Sequence, residues 1–180
     1  MKRKWRQDAA ITVIVAGATA LSLTFFPSTE PSNTVKKTAL GKNITEEITG
    51  KAVVTDGDTI ILHDTVIRFH GIDAPEINQP CWTDEIEYAC GLAAKRYLQR
   101  LINDQPIRCH LIDRDSYGRA LAKCRNYQNI DINAQMVSSG NAIAYLFFSD
   151  DYAAQQAEAK TKKNGIWNGR FIEPYHFRKL

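Results

Sequence analysis

Three short phrases of this chain carry charged residues whose types suit chemistry at a phosphate group. The phrases are DGDT, IRFHGIDAPE and DSYGRA, and they contribute Asp58, Arg68, Asp73, Glu76 and Arg119. Carboxylates can hold a hard divalent cation, and guanidinium groups can grip the non-bridging oxygens of a phosphate. Donors placed where negative charge develops favour the transition state over the ground state. Together these residues supply what phosphodiester hydrolysis requires.

Short strands and helices must position these residues. Residues 52–55, 60–63 and 65–69 are β-branched runs separated by turn signals, and 106–113 and 119–125 form a hairpin around a turn at 115–118. Helical patterns cover residues 85–102, 131–139 and 150–163. This order predicts a mainly β fold with α-helices, a five-stranded barrel of the oligonucleotide-binding type with three helices. An open α+β sheet fits the same order.

The N-terminus has the pattern of a segment that directs export. Residues 1–8 are a basic n-region, and residues 9–26 carry no charge and would span about 27 Å as a helix. Basic residues before this helix predict a cytoplasmic N-terminus and an exported remainder, periplasmic or on the cell surface. We expect a single-pass signal anchor that attaches the protein to the membrane. The alternative is a signal peptide cleaved near the sequence Ala-Thr-Ala at 18–20, which gives a secreted protein.

The rest of the chain divides into three parts. Residues 27–50 read as a flexible linker, residues 51–168 as the barrel domain and residues 169–180 as a C-terminal tail. Residues 1–8 hold four of the 23 Lys and Arg and one of the 20 Asp and Glu, which leaves 19 of each sign in the remainder. This balance argues against a broad basic surface for nucleic acid, so phosphate recognition should be local. No partner protein is indicated, and we expect a monomer.

The four cysteines all follow the predicted anchor and lack the paired CxxC spacing of structural zinc sites. In an exported domain this pattern favours disulfides over the alternative of four buried thiols. If the hairpin is symmetric about the bond between residues 116 and 117, Cys109 and Cys124 face each other within disulfide distance. By elimination, Cys81 pairs with Cys90.

The three phrases, in this order and between these elements, resemble the staphylococcal nuclease (thermonuclease-like) family over residues 51–168. The resemblance implies a five-stranded oligonucleotide-binding barrel with three helices. It also implies that Asp58 and Asp73 bind calcium (Ca2+), together with the backbone carbonyl of Ala74.

The same resemblance assigns roles to five further residues. Arg68 and Arg119 match the arginines that bind phosphate, and Glu76 matches the catalytic glutamate. Tyr117 and Tyr145 match tyrosines that line the nucleotide pocket. The residue before Tyr117 is a serine, where the family commonly has a lysine.

These features predict a calcium-dependent nuclease, an endonuclease that cleaves DNA and/or RNA, and the family resemblance implies that it leaves a 3′-phosphate. The first alternative is a non-catalytic nucleic-acid-binding barrel. The second is a calcium-dependent envelope protein that acts on another anionic polymer, such as an acidic polysaccharide.

Overall fold

The computed structural model describes residues 46–180. The predicted basic segment at 1–8, the predicted anchor at 9–26 and nearly all of the predicted linker lie outside the described residues. Across 46–180, no helix combines the length and the apolar character needed to cross a bilayer.

Eleven short strands and four α-helices make up the described part of the chain. The strands are β1 (Glu47–Gly50), β2 (Ala52–Val54), β3 (Thr59–Leu62), β4 (Thr65–Phe69), β5 (Ile72–Asp73), β6 (Pro80–Thr83), β7 (Ile86–Ala89), β8 (Ile107–Arg114), β9 (Ala120–Arg125), β10 (Ile143–Ala144) and β11 (Arg170–Phe171). The helices are α1 (Cys90–Ile102), α2 (Ile132–Ser138), α3 (Ala153–Thr161) and α4 (Pro174–Phe177), with a 3-10 turn at Gly165–Asn168. The sequence predicts three helices here; α4 is the additional one.

The main sheet is a nearly closed barrel. Its strand order is β1-β8-β9-β4-β3-β2, with β4 and β9 parallel and the other neighbours antiparallel. Only Lys51 separates β1 from β2, so one bent strand supplies both edges of the sheet. The His63 ring, just after β3, lies 3.0 Å from the Thr49 carbonyl oxygen of β1. When β1 and β2 are counted as one strand, the barrel has the five strands that the sequence predicts.

One apolar core fills the barrel and the space under the helices. Inward-facing positions alternate with outward-facing ones along β4, as expected for a sheet with one face on the core. Apart from Gln79, the largest fully buried side chains come from the strands, α1 and α2: Ile60, Leu62, Ile67, Phe69, Ile72, Leu98, Ile102, Ile107, Ile132, Met136 and Val137.

Both predicted disulfides are present. Cys109 and Cys124 face each other across β8 and β9, with Cα atoms 4.1 Å apart. Cys81 and Cys90 are also bonded, with Cα atoms 5.6 Å apart. The first bridge ties two strands of the barrel together, and the second ties β6 to the start of α1.

The centre of the β8–β9 turn lies half a residue closer to the C-terminus than predicted. Arg114 pairs with Ala120, which centres the turn on Tyr117 rather than on the preceding peptide bond. A β-bulge at Ile112 then adds one residue to β8. Beyond the bulge, the pairing returns to the predicted register. The cysteine pairing was therefore right because two unpredicted features cancel.

The first helix begins at Cys90, not at residue 85 as the sequence predicts. Asp84 and Glu85 instead form a tight turn, with φ of 49° and 63°, and join β6 to β7. Two central residues with positive φ are typical of two-residue hairpins. Glu87 and Ala89 favour a helix intrinsically, but Ile86 and Tyr88 suit a strand, and pairing with β6 decides the conformation.

Residues 169–180, predicted only as a tail, pack against this β6–β7 hairpin. Phe171 of β11 pairs with Cys81, and the Arg170 guanidinium lies 5.1 Å from the centre of the Trp82 ring. The Gln79 side chain donates a 2.7 Å hydrogen bond to the Ile172 carbonyl oxygen. These contacts hold the tail beside the loop that follows β5.

Replacing Cys109 and Cys124 together by alanine should lower the free energy of unfolding by about 3 kcal/mol, because the bridge closes a loop in the unfolded chain. The pair Cys81 and Cys90 closes a shorter loop, nine residues against fifteen, and should cost slightly less. Urea unfolding of both double variants and of the oxidised wild type measures these differences. Equal unfolding midpoints for the oxidised and reduced wild type would contradict the prediction.

Candidate active site

Asp58 lies at the start of β3, in a turn formed by its own neighbours. The Asp56 carboxylate accepts a 2.9 Å hydrogen bond from the Asp58 backbone N–H, as in an Asx turn. The Asp58 side chain is buried, and the residue is only 3% exposed. Gly57 permits this burial, because a Cβ there would lie 2.6 Å from that of Ala74.

Arg68 of β4 joins the two predicted metal-binding carboxylates. Its Nη1 donates to Asp58 Oδ1 at 2.7 Å, and its Nη2 donates to Asp73 Oδ1 at 2.6 Å. Arg68 pairs across the sheet with Thr59, which directly follows Asp58. The strand register therefore sets this contact.

Asp73 ends the two-residue strand β5 and is fully buried. β5 pairs with β10, where Asp73 lies opposite Ile143. The next residue, Ala74, donates its backbone N–H to Asp58 Oδ2 at 2.8 Å. The two aspartates are thus connected both through Arg68 and through the backbone.

Burial raises the pKa of Asp58 to about 7, while Arg68 and the Ala74 N–H act in the opposite direction. The nearby Asp56 and Asp73 carboxylates raise this pKa further. Burial therefore disfavours the ionised form of Asp58. A cation bound beside it would favour that form.

Glu76 follows in the loop between β5 and β6. Its backbone N–H donates to the Gln79 side chain at 3.2 Å, and its carboxylate is 37% exposed. Gly91, at the start of α1, packs against this loop so closely that a Cβ would lie 1.7 Å from the Glu76 carbonyl oxygen. Helix α1 therefore supports the backbone of the predicted catalytic residue.

Arg178, just after α4, is a site residue that the sequence analysis missed. Its guanidinium contacts both Asp73 oxygens, at 2.9 and 3.0 Å, and Glu76 Oε1 at 2.8 Å. These carboxylates raise the pKa of Arg178, although burial acts against them. In the sequence, Arg178 belongs to a basic and aromatic run at 175–179, and this run does not indicate which side chains Arg178 contacts.

Arg119 and Tyr117 lie on the β8–β9 hairpin, apart from these contacts. Arg119 Nε donates to Asp115 Oδ2 at 2.7 Å, and its guanidinium lies 5.5 Å from the centre of the Tyr117 ring. The Tyr117 side chain is largely exposed. Arg119 precedes the residue that pairs with Ile67, so it lies on the same outer sheet face as Arg68. The two positions are about 7 Å apart along the strands and about 5 Å across them.

Tyr145 follows β10 and lies close to the carboxylate cluster. Its backbone N–H donates to the Gly71 carbonyl at 2.9 Å. Burial raises the pKa of Tyr145, and Asp73 contributes in the same direction. The Tyr145 ring centre is 5.0 Å from that of Phe148 and 6.4 Å from that of Tyr175. Aromatic surface therefore borders the site on this side.

The predicted metal ligands supply a limited set of donors. Within residues 46–180, no three His, Cys, Asp or Glu side chains form a group that could hold a metal ion. Asp58 and Asp73 are two buried carboxylates, the kind of oxygen ligand that hard cations prefer. The donor chemistry therefore fits a hard divalent cation, whose remaining ligands would be a backbone carbonyl, such as that of Ala74, and water.

Comparison with known proteins adds independent information. A model described as "Staphylococcal nuclease homologue" matches residues 66–169, more than half of the chain. The succinoglycan biosynthesis protein ExoI of Rhizobium meliloti (strain 1021) is 34% identical over 128 residues, which cover 69% of this chain and 67% of that protein. An uncharacterized endonuclease of Haemophilus influenzae is 33% identical over 134 residues, with 70% of each chain covered.

A probable staphylococcal-like nuclease of Oryza sativa subsp. japonica, CAN3, is 26% identical over 132 residues, which cover 72% of this chain and 32% of that protein. The family model spans Arg68, Asp73, Glu76 and Arg119. Asp58 lies before the matched range, and its contact with Arg68 joins it to the same site. From the family match and the two relatives above 30% identity, we conclude that the chain belongs to the staphylococcal nuclease family and hydrolyses phosphodiester bonds.

Proposed function

We propose that this nuclease is a calcium-dependent endonuclease that cleaves single-stranded or frayed DNA and RNA and leaves a 3′-phosphate. The observation that carries the proposal is the pair of buried carboxylates, Asp58 and Asp73, joined by Arg68 at 2.7 and 2.6 Å. Oxygen ligands of this kind suit calcium, which accepts several oxygens in a flexible geometry. The family resemblance in the sequence supports the same ion.

Each side chain has a distinct task in the proposed reaction. Asp58, Asp73 and the Ala74 carbonyl hold the cation, which supplies Lewis acidity beside the phosphate when it is bound. Arg68 and Arg119 bind the non-bridging oxygens and do so most strongly as charge accumulates there. The partly exposed Glu76 carboxylate orients the attacking water or accepts its proton.

Arg68 can take part in both charge compensation and substrate binding. A guanidinium has five N–H donors, and the contacts with Asp58 and Asp73 use only two of them. Arg119 approaches the same outer face from the hairpin, where Tyr117 lies beside it. Tyr117 and Tyr145 then offer aromatic surface for the bases on either side of the phosphate.

The function is tested by incubating the full-length protein with denatured DNA in calcium and, separately, in excess chelator. We expect fragmentation in calcium and none in chelator, because the two carboxylates alone do not supply Lewis acidity. The products should carry 3′-phosphates, which block extension by a polymerase until a phosphatase removes them. Binding of DNA without cleavage would support the non-catalytic barrel instead.

A second candidate function is suggested by the name of one relative. ExoI is named as a succinoglycan biosynthesis protein and is 34% identical to this chain. That name connects a related protein with the biosynthesis of a polysaccharide, so an acidic polysaccharide is the second candidate substrate. The same calcium experiment, run in parallel with an acidic polysaccharide, separates the two: depolymerisation of the polysaccharide but not of DNA would favour the second candidate.

Arg119→Lys should reduce turnover by about 10²-fold, because an ammonium cannot reproduce the two-pronged contact with a phosphate. The loss of stability should stay below about 1 kcal/mol, since the Arg119–Asp115 pair is partly exposed. Steady-state kinetics and urea unfolding measure the two effects. Arg114→Lys is the matched control: Arg114 is in the same hairpin and bonds the Gly118 carbonyl. Equal turnover by the two variants would remove Arg119 from the mechanism.

We also propose that the protein works outside the cytoplasm as a monomer, anchored by its N-terminal apolar segment or secreted after cleavage. All four cysteines are paired, and structural disulfides persist mainly in oxidising compartments. Alkaline phosphatase, which is active only outside the cytoplasm, can be fused after residue 180. We expect an active fusion. An inactive fusion, with activity restored when residues 1–26 are replaced by an established signal peptide, would contradict the proposed export.

A further inference from the structure

The Arg178 guanidinium contacts two carboxylates that the proposed reaction requires, those of Asp73 and Glu76. Its Nη1 lies 2.9 Å from Asp73 Oδ1 and 2.8 Å from Glu76 Oε1, and its Nη2 lies 3.0 Å from Asp73 Oδ2. The contact with Asp73 is therefore bidentate, which is the strong form of a guanidinium–carboxylate pair. Both oxygens of a proposed calcium ligand are engaged by this arginine.

We propose that Arg178 is an exchangeable counter-ion of the active site, a positioning residue that occupies Asp73 and Glu76 until a divalent cation displaces it. The inference rests on the proposed function, because it assumes that Asp73 is a cation ligand. The donors of Arg178 and a bound cation need the same Asp73 oxygens, so the two exclude each other there. Displacement also releases Glu76 Oε1 to accept a hydrogen bond from water.

The balance of charge supports this exchange. Asp58, Asp73 and Glu76 contribute three negative charges, and Arg68 and Arg178 contribute two positive charges through direct contacts. When all three carboxylates are ionised, one negative charge is left over. A divalent cation in place of Arg178 would bring the same group to neutrality, and this gain favours replacing one cation by the other.

Arg178 is also better placed to leave than Arg68. Arg68 lies within β4, between two hydrogen-bonded strands, and its side chain is 15% exposed. Arg178 follows a helix of four residues, and its side chain is 33% exposed. A single helical turn has little stability of its own, so moving Arg178 disturbs much less structure.

Calcium binding to the full-length protein can be measured by isothermal titration calorimetry without any substrate. Arg178→Ala should lower the dissociation constant for calcium by about tenfold or more, because the competing cation is gone. Lys179→Ala is the matched control. It removes the same charge from the next residue, whose ammonium contacts the Tyr175 hydroxyl. Circular dichroism and thermal unfolding in chelator first establish that both variants are folded.

A second measurement uses only the wild type. If calcium and Arg178 exclude each other at Asp73, binding of calcium must weaken the attachment of the α4 segment by the same free energy. Hydrogen exchange of the backbone amides at 175–180 should therefore become faster in calcium. The barrel amides of β3 and β4 should not.

The outcomes are distinct. Tighter binding only in Arg178→Ala, with faster exchange at 175–180 in the wild type, supports the exchange. Equal or weaker binding by Arg178→Ala overturns it and leaves the proposed calcium site intact. If the wild type and both variants bind no calcium in the millimolar range, the proposed calcium site fails and this inference fails with it.

Discussion

The structure of the site depends on one constraint: two buried aspartates must share compensating positive charge. Asp58 and Asp73 are almost completely withdrawn from solvent, and removing a carboxylate from water is costly unless it is paired and hydrogen-bonded. Arg68 meets most of this need by donating hydrogen bonds to both of them from the outer face of β4, a strand with a neighbour on each side. The pairing of β3 with β4 and the close packing at Gly57 act to keep this contact in place.

The part of the site that could be predicted is the part that is local in sequence. Asp58, Arg68 and Asp73 lie within sixteen residues, in adjacent strands and the turn that follows, so their types and spacing already indicate a common site. Arg178 is 105 residues from Asp73. Its position depends on the pairing of β11 with β6 and on the Gln79–Ile172 hydrogen bond, and neither leaves a pattern in the sequence.

The strands show the same distinction between local pattern and tertiary pairing. The β6–β7 hairpin is hidden because its glutamates favour a helix, and only pairing with Pro80–Thr83 and a turn with two positive φ values make it a hairpin. The pairing of Cys109 with Cys124 was predicted from turn symmetry, although the turn is shifted and the bulge at Ile112 restores the register. The two cysteines therefore pair as predicted, although the turn between their strands is not centred where the sequence predicts it.

The three arginines of the site differ in how firmly the fold holds them, and this difference relates to what each can do. Arg68 is held by a central strand and suits a permanent role in charge compensation. Arg119 lies on an exposed hairpin beside Tyr117, where it can adjust to a polymer that varies in sequence and shape. Arg178 follows a one-turn helix near the end of the described residues, and its guanidinium contacts the site through Asp73 and Glu76. The chain beyond residue 8 has equal numbers of acidic and basic residues, a balance that argues against a broad basic surface and leaves local groups such as these three to bind phosphate in the proposed reaction. In the proposed reaction, phosphate recognition therefore depends on which cation faces Asp73, so the proposed exchange at this one carboxylate would affect the whole site.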